Sequence, residues 1–117
     1  TGFTPMLLAV AKGHIEMMMY LVDQGANKWK VNQNGNNALH ISCIVGFFKI
    51  AQYMVKNNLD PNLANKDGRK PMTLACANGH LDIVQFLLQT GMVNKNSTDE
   101  VGDAPLIAAC YGGHVLV

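Results

Sequence analysis

The sequence lacks the features that mark several large classes of protein. Nine lysines and arginines stand against eight acidic residues, a net charge of +1, so the overall charge does not favour nucleic acid or anionic lipid as a partner. No apolar run approaches the ~18 residues that a membrane-spanning helix needs. Aromatic residues make up only 7% of the chain, but 49% of its 117 residues are hydrophobic, which is enough for the core of one domain.

Motifs that carry chemistry are also missing. There is no Gly-x-x-x-x-Gly-Lys phosphate loop, no Cys-x-x-Cys pair and no His-x-x-x-His pair. No candidate nucleophile has a plausible base beside it in the sequence. We therefore predict that the chain is not an enzyme and binds no cofactor or metal.

The cysteines are few and regularly spaced. Cys43, Cys76 and Cys110 recur at intervals of about 33 residues, so they occupy one position of a repeat. Packed helices lie about 8–10 Å apart, more than the roughly 7 Å between Cα atoms that a disulfide tolerates. This favours separate buried thiols in a reducing compartment, and hence an intracellular, cytoplasmic location, over a redox or metal-binding role.

What the sequence does contain is a fixed period. A glycine-led segment occurs four times at intervals of about 33 residues, and a second glycine closes each copy after one short helix's length. The opening glycines are Gly2, Gly35, Gly68 and Gly102, and the closing ones are Gly13, Gly46, Gly79 and Gly113. Such a period predicts a stacked repeat protein with an extended surface in place of an enclosed cleft.

Each unit begins with the signals of a short helix. Pro5, Pro71 and Pro105 suit its first turn, where the missing N–H is not needed. Thr4 and Asn37 can cap the free N–H groups there. The closing glycines then break this helix after about two turns.

A second helix follows in each unit. Ile83, Val84 and Leu87 have helical spacing in the third unit, and Gly25, Asn58 and Gly91 are placed to end the three second helices. By alignment with Ile83 and Val84, we predict that Met17 and Met18 lie in the core. Met19 aligns with exposed positions. A polar loop then completes the unit.

The pattern resembles the ankyrin repeat, a 33-residue unit with a Thr-Pro-Leu-His-x-Ala signature. Thr4-Pro5 and His40 retain parts of that signature, whereas Phe47 replaces the histidine that usually follows the closing glycine. The resemblance implies an all-α repeat solenoid of helix-turn-helix units with projecting β-hairpin or loop fingers. It divides the chain into a part-repeat over 1–34, repeats over 35–67 and 68–101, and a part-repeat over 102–117. We expect this segment to belong to a longer array, with further repeats on both sides.

The resemblance also accounts for the histidines. His14, His80 and His114 follow closing glycines, and His40 is the signature histidine. Such side chains generally hydrogen-bond to backbone between helices and loops in this family, which favours a structural role over metal binding.

Function is likewise implied by the resemblance. Ankyrin arrays generally bind protein partners through finger tips and the concave surface of their first helices. The residues at those places that depart from the family consensus are candidates for partner binding. They are Phe3, Lys28, Trp29, Lys30, Asn36, Ile44, Val45, Lys66, Arg69, Asn78, Asp99, Asp103 and Tyr111.

Two groups among these candidates suggest the character of the partner. Phe3, Ile44, Val45 and Tyr111 form an apolar strip if exposed, although neighbouring repeats could cover them instead. Residues 25–37 carry two lysines and no acid, whereas residues 91–105 carry one lysine and three acids. This gradient would orient a charged partner; the alternative is ordinary solvated fingers.

Trp29 is the only tryptophan and replaces the small polar residue usual at this place in the finger. It is either a binding anchor or packs on the next finger near Leu63. For the whole chain, the leading hypothesis is a non-catalytic protein-binding or scaffold segment. The alternatives are a regulatory or docking region of a larger enzyme or ion channel, and a structural spacer without a partner.

Overall fold

The computed structural model describes residues 4–27 and 30–91, and six helices lie in these ranges. In chain order they are α1 (Pro5–Ala11), α2 (Ile15–Asp23), α3 (Ala38–Val45), α4 (Phe48–Lys56), α5 (Pro71–Ala77) and α6 (Leu81–Gln89). The described ranges contain no strand. The second helix of each unit recurs at a constant interval, over 15–23, 48–56 and 81–89, so the spacing of the glycines corresponds to a structural repeat. The all-α repeat fold is confirmed, while predictions about Pro105, Cys110 and His114 fall outside the described residues.

The first helices of the first two units, α1 and α3, begin directly after Thr4 and Asn37, the residues that the sequence predicted as their N-terminal caps. The hydroxyl of Thr4 accepts a hydrogen bond from the backbone N–H of Leu7 at 3.2 Å, and Pro5 occupies the first position of α1. At α3, Asn37 Oδ1 accepts from the N–H of His40 at 3.0 Å, and His40 Nδ1 accepts from the N–H of Asn37 at 3.0 Å. This reciprocal pair satisfies two N–H groups that the helix itself leaves without partners.

The helix ends follow from residues that tolerate left-handed backbone. Gly46 ends α3 with φ +99°, and its N–H donates to the carbonyl of Ser42 at 2.7 Å. After α4, Asn58 adopts φ +74° without being a glycine. Asparagine is among the few other residues that enter this region readily, so both ends agree with the sequence prediction.

The helices pack in two layers. Helix α3 lies between α1 and α5 in one layer, and α4 packs against α6 in the other. Within each unit, the first helix also packs against the second. Fully buried side chains from successive units fill the space between the layers: Leu7, Val10, Met18, Leu39, Ile50, Met54, Ile83 and Leu87. Phe48 of α4 and Phe86 of α6 add an edge-to-face contact with ring centroids 5.8 Å apart.

The prediction for Met17 is wrong. Met18 is fully buried and Met19 is exposed, as expected, but Met17 is 53% exposed. Ile50 and Ile83 occupy the same repeat position and are buried. Ile50 and Ile83 lie on the helix face against which the preceding unit packs. On α2, no described residue covers the corresponding face, which carries Met17.

Candidate partner-binding surface

The first helices expose a row of side chains at their C-terminal ends. One exposed residue stands at the same position in each of three successive repeats. Val45 is the last residue of α3, and Lys12 and Asn78 directly follow α1 and α5. Val45 is 47% exposed and Ile44 beside it is partly buried. We call Lys12, Ile44, Val45 and Asn78 the exposed row. An accessible aliphatic side chain thus lies near the middle of this helical layer, between a cationic and an amide side chain.

The loop that joins α4 to α5, residues 57–70, stands where the sequence predicted a finger, and one asparagine, Asn65, holds it. Oδ1 of Asn65 accepts hydrogen bonds from the backbone N–H groups of Asp67 at 2.9 Å and Arg69 at 3.1 Å. Its Nδ2 donates to Oδ1 of Asn36 in the preceding finger at 2.9 Å. The N–H of Lys66 donates to the carbonyl of Asn34 at 3.1 Å. These bonds fix one finger against the next and place the exposed side chain of Lys66 at the tip.

Asn36 does not belong to the accessible surface, which corrects the sequence prediction. Its exposed fraction is 7%, and its side-chain oxygen is the acceptor for Asn65. A buried amide that is hydrogen-bonded to a neighbouring finger holds the two repeats together. Asn36 is therefore not accessible to a binding partner. Sequence reasoning missed this pairing, although the presence of Asn32 and Asn65 at the same repeat position was a visible signal of a recurring finger role.

The described candidate residues have an uneven charge. Lys30 and Lys66 are exposed, and Arg69 is partly buried. Over the described fingers and first helices, the basic residues are Lys12, Lys30, Lys66, Arg69 and Lys70, and the acidic ones are Asp60 and Asp67. Of the remaining candidates, Phe3, Lys28, Trp29, Asp99, Asp103 and Tyr111 lie outside the described residues. The ends of the apolar strip and the acidic end of the charge gradient therefore remain sequence predictions.

His40 is buried and fully used by the fold. Its Nδ1 accepts from the Asn37 N–H, so the ring proton is on Nε2, which donates to the carbonyl of Leu63 at 2.7 Å. Burial lowers the pKa of His40, and the hydrogen bond to Leu63 partly opposes that shift. Both ring nitrogens are engaged, which leaves no lone pair for a metal. Across residues 4–27 and 30–91, no three His, Cys, Asp or Glu side chains come together as metal ligands.

The described cysteines are structural as well. Cys43 and Cys76 are buried in successive first helices and neither is in a disulfide. Burial, together with the nearby Cys76, raises the pKa of the Cys43 thiol. A thiol held in its neutral form is a poor nucleophile, so Cys43 is a small packing residue, as its spacing predicted.

These observations define a class of protein, a solenoid of stacked helix pairs. Its candidate binding residues are side chains exposed along the first helices and the adjoining loops. The family model for ankyrin repeats, described as three copies, matches residues 1–65 and 45–117. The chain belongs to the ankyrin repeat family, whose repeats generally mediate protein–protein interaction. No curated protein matches the chain. In the part of the chain that the structure describes, no helix is long and apolar enough to cross a membrane.

Proposed function

We propose that this chain is a non-catalytic, intracellular interaction or scaffold segment that binds a protein partner through the exposed row and the adjacent finger tips. The observation that carries the proposal is the exposure of Val45. An aliphatic side chain that is 47% exposed, between the polar side chains of Lys12 and Asn78 in the neighbouring repeats, is an anchor that a partner can bury. Because about half of the Val45 side chain is already covered, its complete burial would stabilise a complex by roughly half of the 1.5–3 kcal/mol expected for a fully exposed valine, before other costs.

The surrounding charge indicates the kind of partner. The described fingers and first helices carry more basic than acidic side chains, and Lys12 and Lys66 are both exposed. We propose a partner segment with an apolar side chain for Val45 and acidic residues around it. Because exposed charges are screened by salt, they would govern orientation and association rate more than affinity.

The hydrogen bond between the two fingers supports the same proposal. Asn65 joins its own finger to Asn36 of the preceding one, so Lys66 is presented on a braced loop. A surface that is ordered before binding loses less conformational entropy when the partner arrives. This favours recognition of a defined partner over a spacer role, because a spacer does not require an exposed anchor beside braced tips.

The alternative is a regulatory or docking region within a larger enzyme or ion channel. It uses the same surface, but the bound segment belongs to the parent polypeptide or to its assembly. We also propose that the array continues with further repeats on both sides of this segment. The open face of α1 and α2 supports this on one side, and the other side lies outside the described residues.

Site-specific photo-crosslinking tests the proposal. A photoreactive amino acid is placed at Val45 or Asn78, with Lys49 of α4, exposed on the other layer, as the matched control position. We expect the same protein to be captured from Val45 and Asn78 but not from Lys49. Capture of a domain of the parent polypeptide would select the alternative. Equal capture from Lys49, or none from the exposed row, would refute the proposed surface.

A substitution then measures the contribution of the anchor. Val45→Asp is expected to weaken binding of the captured partner at least about tenfold, since a buried unpaired carboxylate is costly. Its melting temperature should change little because the site is already exposed. Gln89→Asp, at the exposed last position of α6 in the other layer, adds the same single negative charge and should leave binding unchanged.

A further inference from the structure

The chain contains two asparagine–glycine pairs, Asn34-Gly35 and Asn78-Gly79. Such a pair is chemically labile, because glycine has no side chain to hinder its backbone nitrogen from approaching the side-chain carbonyl of the asparagine before it. Both asparagines are exposed to solvent. The fold holds the two pairs differently, so one serves as a comparison for the other.

The end of α5 holds both reacting groups of the second pair. Nδ2 of Asn78 donates to the carbonyl of Leu74 at 2.8 Å. The backbone N–H of Asn78 donates to the same carbonyl at 3.1 Å, and the N–H of Gly79 donates to the carbonyl of Cys76 at 3.1 Å. An attack of the Gly79 nitrogen on the Asn78 side chain must therefore break hydrogen bonds on the attacking nitrogen and on the leaving amide.

The side chain of Asn34 is less restrained. Asn34 lies in the finger that precedes α3, where its backbone N–H donates to Oδ1 of Asn32 at 2.9 Å. The N–H of Gly35 donates to the carbonyl of Asn32 at 3.0 Å, but no described residue forms a hydrogen bond with the side-chain amide of Asn34. One exposed hydrogen bond on the attacking nitrogen slows a reaction that must open it by only roughly two- to tenfold.

The packing of the fingers requires glycine after Asn34. Gly35 has φ +76°, and a Cβ at this position would lie 2.7 Å from the backbone nitrogen of Lys66 in the next finger. A side chain at residue 35 would therefore be strained in its backbone and would displace the neighbouring chain. The fold thus retains the one residue type that makes Asn34 most reactive.

We propose that Asn34 is a site of spontaneous deamidation, with water as the only co-reactant. The Gly35 nitrogen gives up its proton to solvent and attacks Cγ of Asn34. The N–Cγ bond forms, the Cγ–Nδ2 bond breaks, and Nδ2 takes a proton from solvent and leaves as ammonia. Water then opens the cyclic imide, at Cγ to give aspartate or at the backbone carbonyl to give isoaspartate. No group is oxidised or reduced.

The two products differ in their effect on the fingers. Asp67 occupies the repeat position of Asn34, and its N–H donates to Oδ1 of Asn65 at 2.9 Å, while the N–H of Gly68 donates to the carbonyl of Asn65 at 3.0 Å. An aspartate is therefore compatible with this turn. Isoaspartate lengthens the backbone by one carbon and removes from the main chain the carbonyl that accepts from the N–H of Lys66 at 3.1 Å. We expect isoaspartate to break that bond between the fingers.

Both products also change the charge of the finger. A neutral amide becomes a carboxylate in a part of the molecule where Lys30 and Lys66 are exposed. This lowers the positive charge that the proposed acidic partner would contact. That consequence rests on the proposed function, whereas the reaction at Asn34 does not.

Ageing of the purified chain in mildly alkaline buffer tests the reaction. Peptide mass spectrometry measures the conversion of each asparagine, in the folded protein and in urea. In the folded protein, Asn34 should react at least about fivefold faster than Asn78, whose amide carries one further hydrogen bond. In urea the two rates should converge, because the fold no longer distinguishes the pairs. Asn34→Gln is the control that keeps a neutral amide, and it should abolish fast conversion at this position, because the five-membered imide can no longer form.

Hydrogen exchange of the Lys66 N–H tests the consequence for the fingers. The isoaspartate form, separated from the unreacted protein by chromatography, should exchange this N–H faster than the unreacted protein does. Asn34→Asp is the matched control, because it carries the same added charge on an unaltered backbone and should keep the N–H protected.

Three results would overturn the inference. Equal rates at Asn34 and Asn78 in the folded protein would show that the bond on the Asn78 amide does not select between the pairs. An unreacted Asn34 in a folded protein whose unfolded form reacts would show that the turn protects it. Unchanged exchange of Lys66 in the isoaspartate form would refute the effect on the fingers. Each measurement uses the chain alone, so its outcome is independent of the proposed partner-binding surface.

Discussion

The imidazole of His40 joins the start of α3 to the finger that follows α4, through a hydrogen bond from Nε2 to the carbonyl of Leu63 at 2.7 Å. The other ring nitrogen, Nδ1, accepts from the backbone N–H of Asn37 at 3.0 Å. His40 is 1% exposed. The fold therefore requires the neutral ring with its proton on Nε2, since a doubly protonated ring has no acceptor for Asn37.

This requirement predicts a loss of stability in mild acid. Burial lowers the pKa of His40 in the folded state below its ordinary value of 6.5, so the unfolded chain takes up the proton first. The contribution of the neutral His40 ring to the stability of the fold is thus fully present above about pH 6.5. It falls as the pH drops towards the folded pKa, by up to about 1.4 kcal/mol per pH unit for this one group. Urea unfolding at pH 8, 7, 6 and 5 measures the effect.

The control for this prediction is His40→Gln, which removes the titrating group and leaves His14, His80 and His114 in place. The variant should be less stable at pH 8, and its stability should fall less between pH 7 and pH 5. Parallel pH curves for the two proteins would show that His40 is not the source of the acid sensitivity.

Local signals made much of the fold predictable from sequence. Thr4 and Asn37 cap helices because their short polar side chains reach nearby backbone N–H groups. Gly46 and Asn58 end helices because of their own backbone preferences. Each of these depends on residues within one turn, and the repeat period then carries the prediction along the chain.

The errors concern burial, which depends on residues far away in the sequence. Met17 has the same local pattern as Ile83, yet it is exposed because no described unit packs on its face. Asn36 stands at a finger position where exposure was expected, but Asn65 of the next finger draws it into a hydrogen bond. Composition alone does not indicate which side of a repeat a neighbour will cover.

A matched pair of glycine substitutions separates backbone strain from interface crowding. Both Gly25, at φ +94°, and Gly46, at φ +99°, are left-handed, so alanine at either site costs about 1–2 kcal/mol. A Cβ at Gly25 meets nothing within 4 Å, whereas at Gly46 it meets the His80 ring. We expect Gly46→Ala to be more destabilising by a further ~1–3 kcal/mol in chemical denaturation. Equal losses would show that the His80 ring moves aside freely.

The finger ladder predicts an unequal pair of asparagine effects. Asn65→Ala removes two bonds to backbone N–H groups and the bond to Asn36, and should cost about 2–3 kcal/mol. Asn36→Ala removes only the shared side-chain bond and should cost about 1 kcal/mol. A double-mutant cycle by urea unfolding should return a coupling of at least about 0.5 kcal/mol for that bond. Strictly additive losses would mean that the two fingers are not joined through it.

The last prediction concerns a buried hydroxyl that has no hydrogen-bond partner among the described residues. Thr73 occupies in α5 the repeat position of His40, is fully buried, and its hydroxyl has no hydrogen-bond partner in the described part of the chain. Valine has nearly the same shape without the hydroxyl, so Thr73→Val should leave the free energy of unfolding unchanged or raise it by up to about 1 kcal/mol. Ser42 is the matched control, because its buried hydroxyl donates to the carbonyl of Ala38 at 2.8 Å. Ser42→Ala should lower the free energy of unfolding by about 0.5–1.5 kcal/mol. Thermal and urea unfolding of both variants checks the contrast, and a loss at Thr73 as large as that at Ser42 would show that the threonine hydroxyl is bonded in solution.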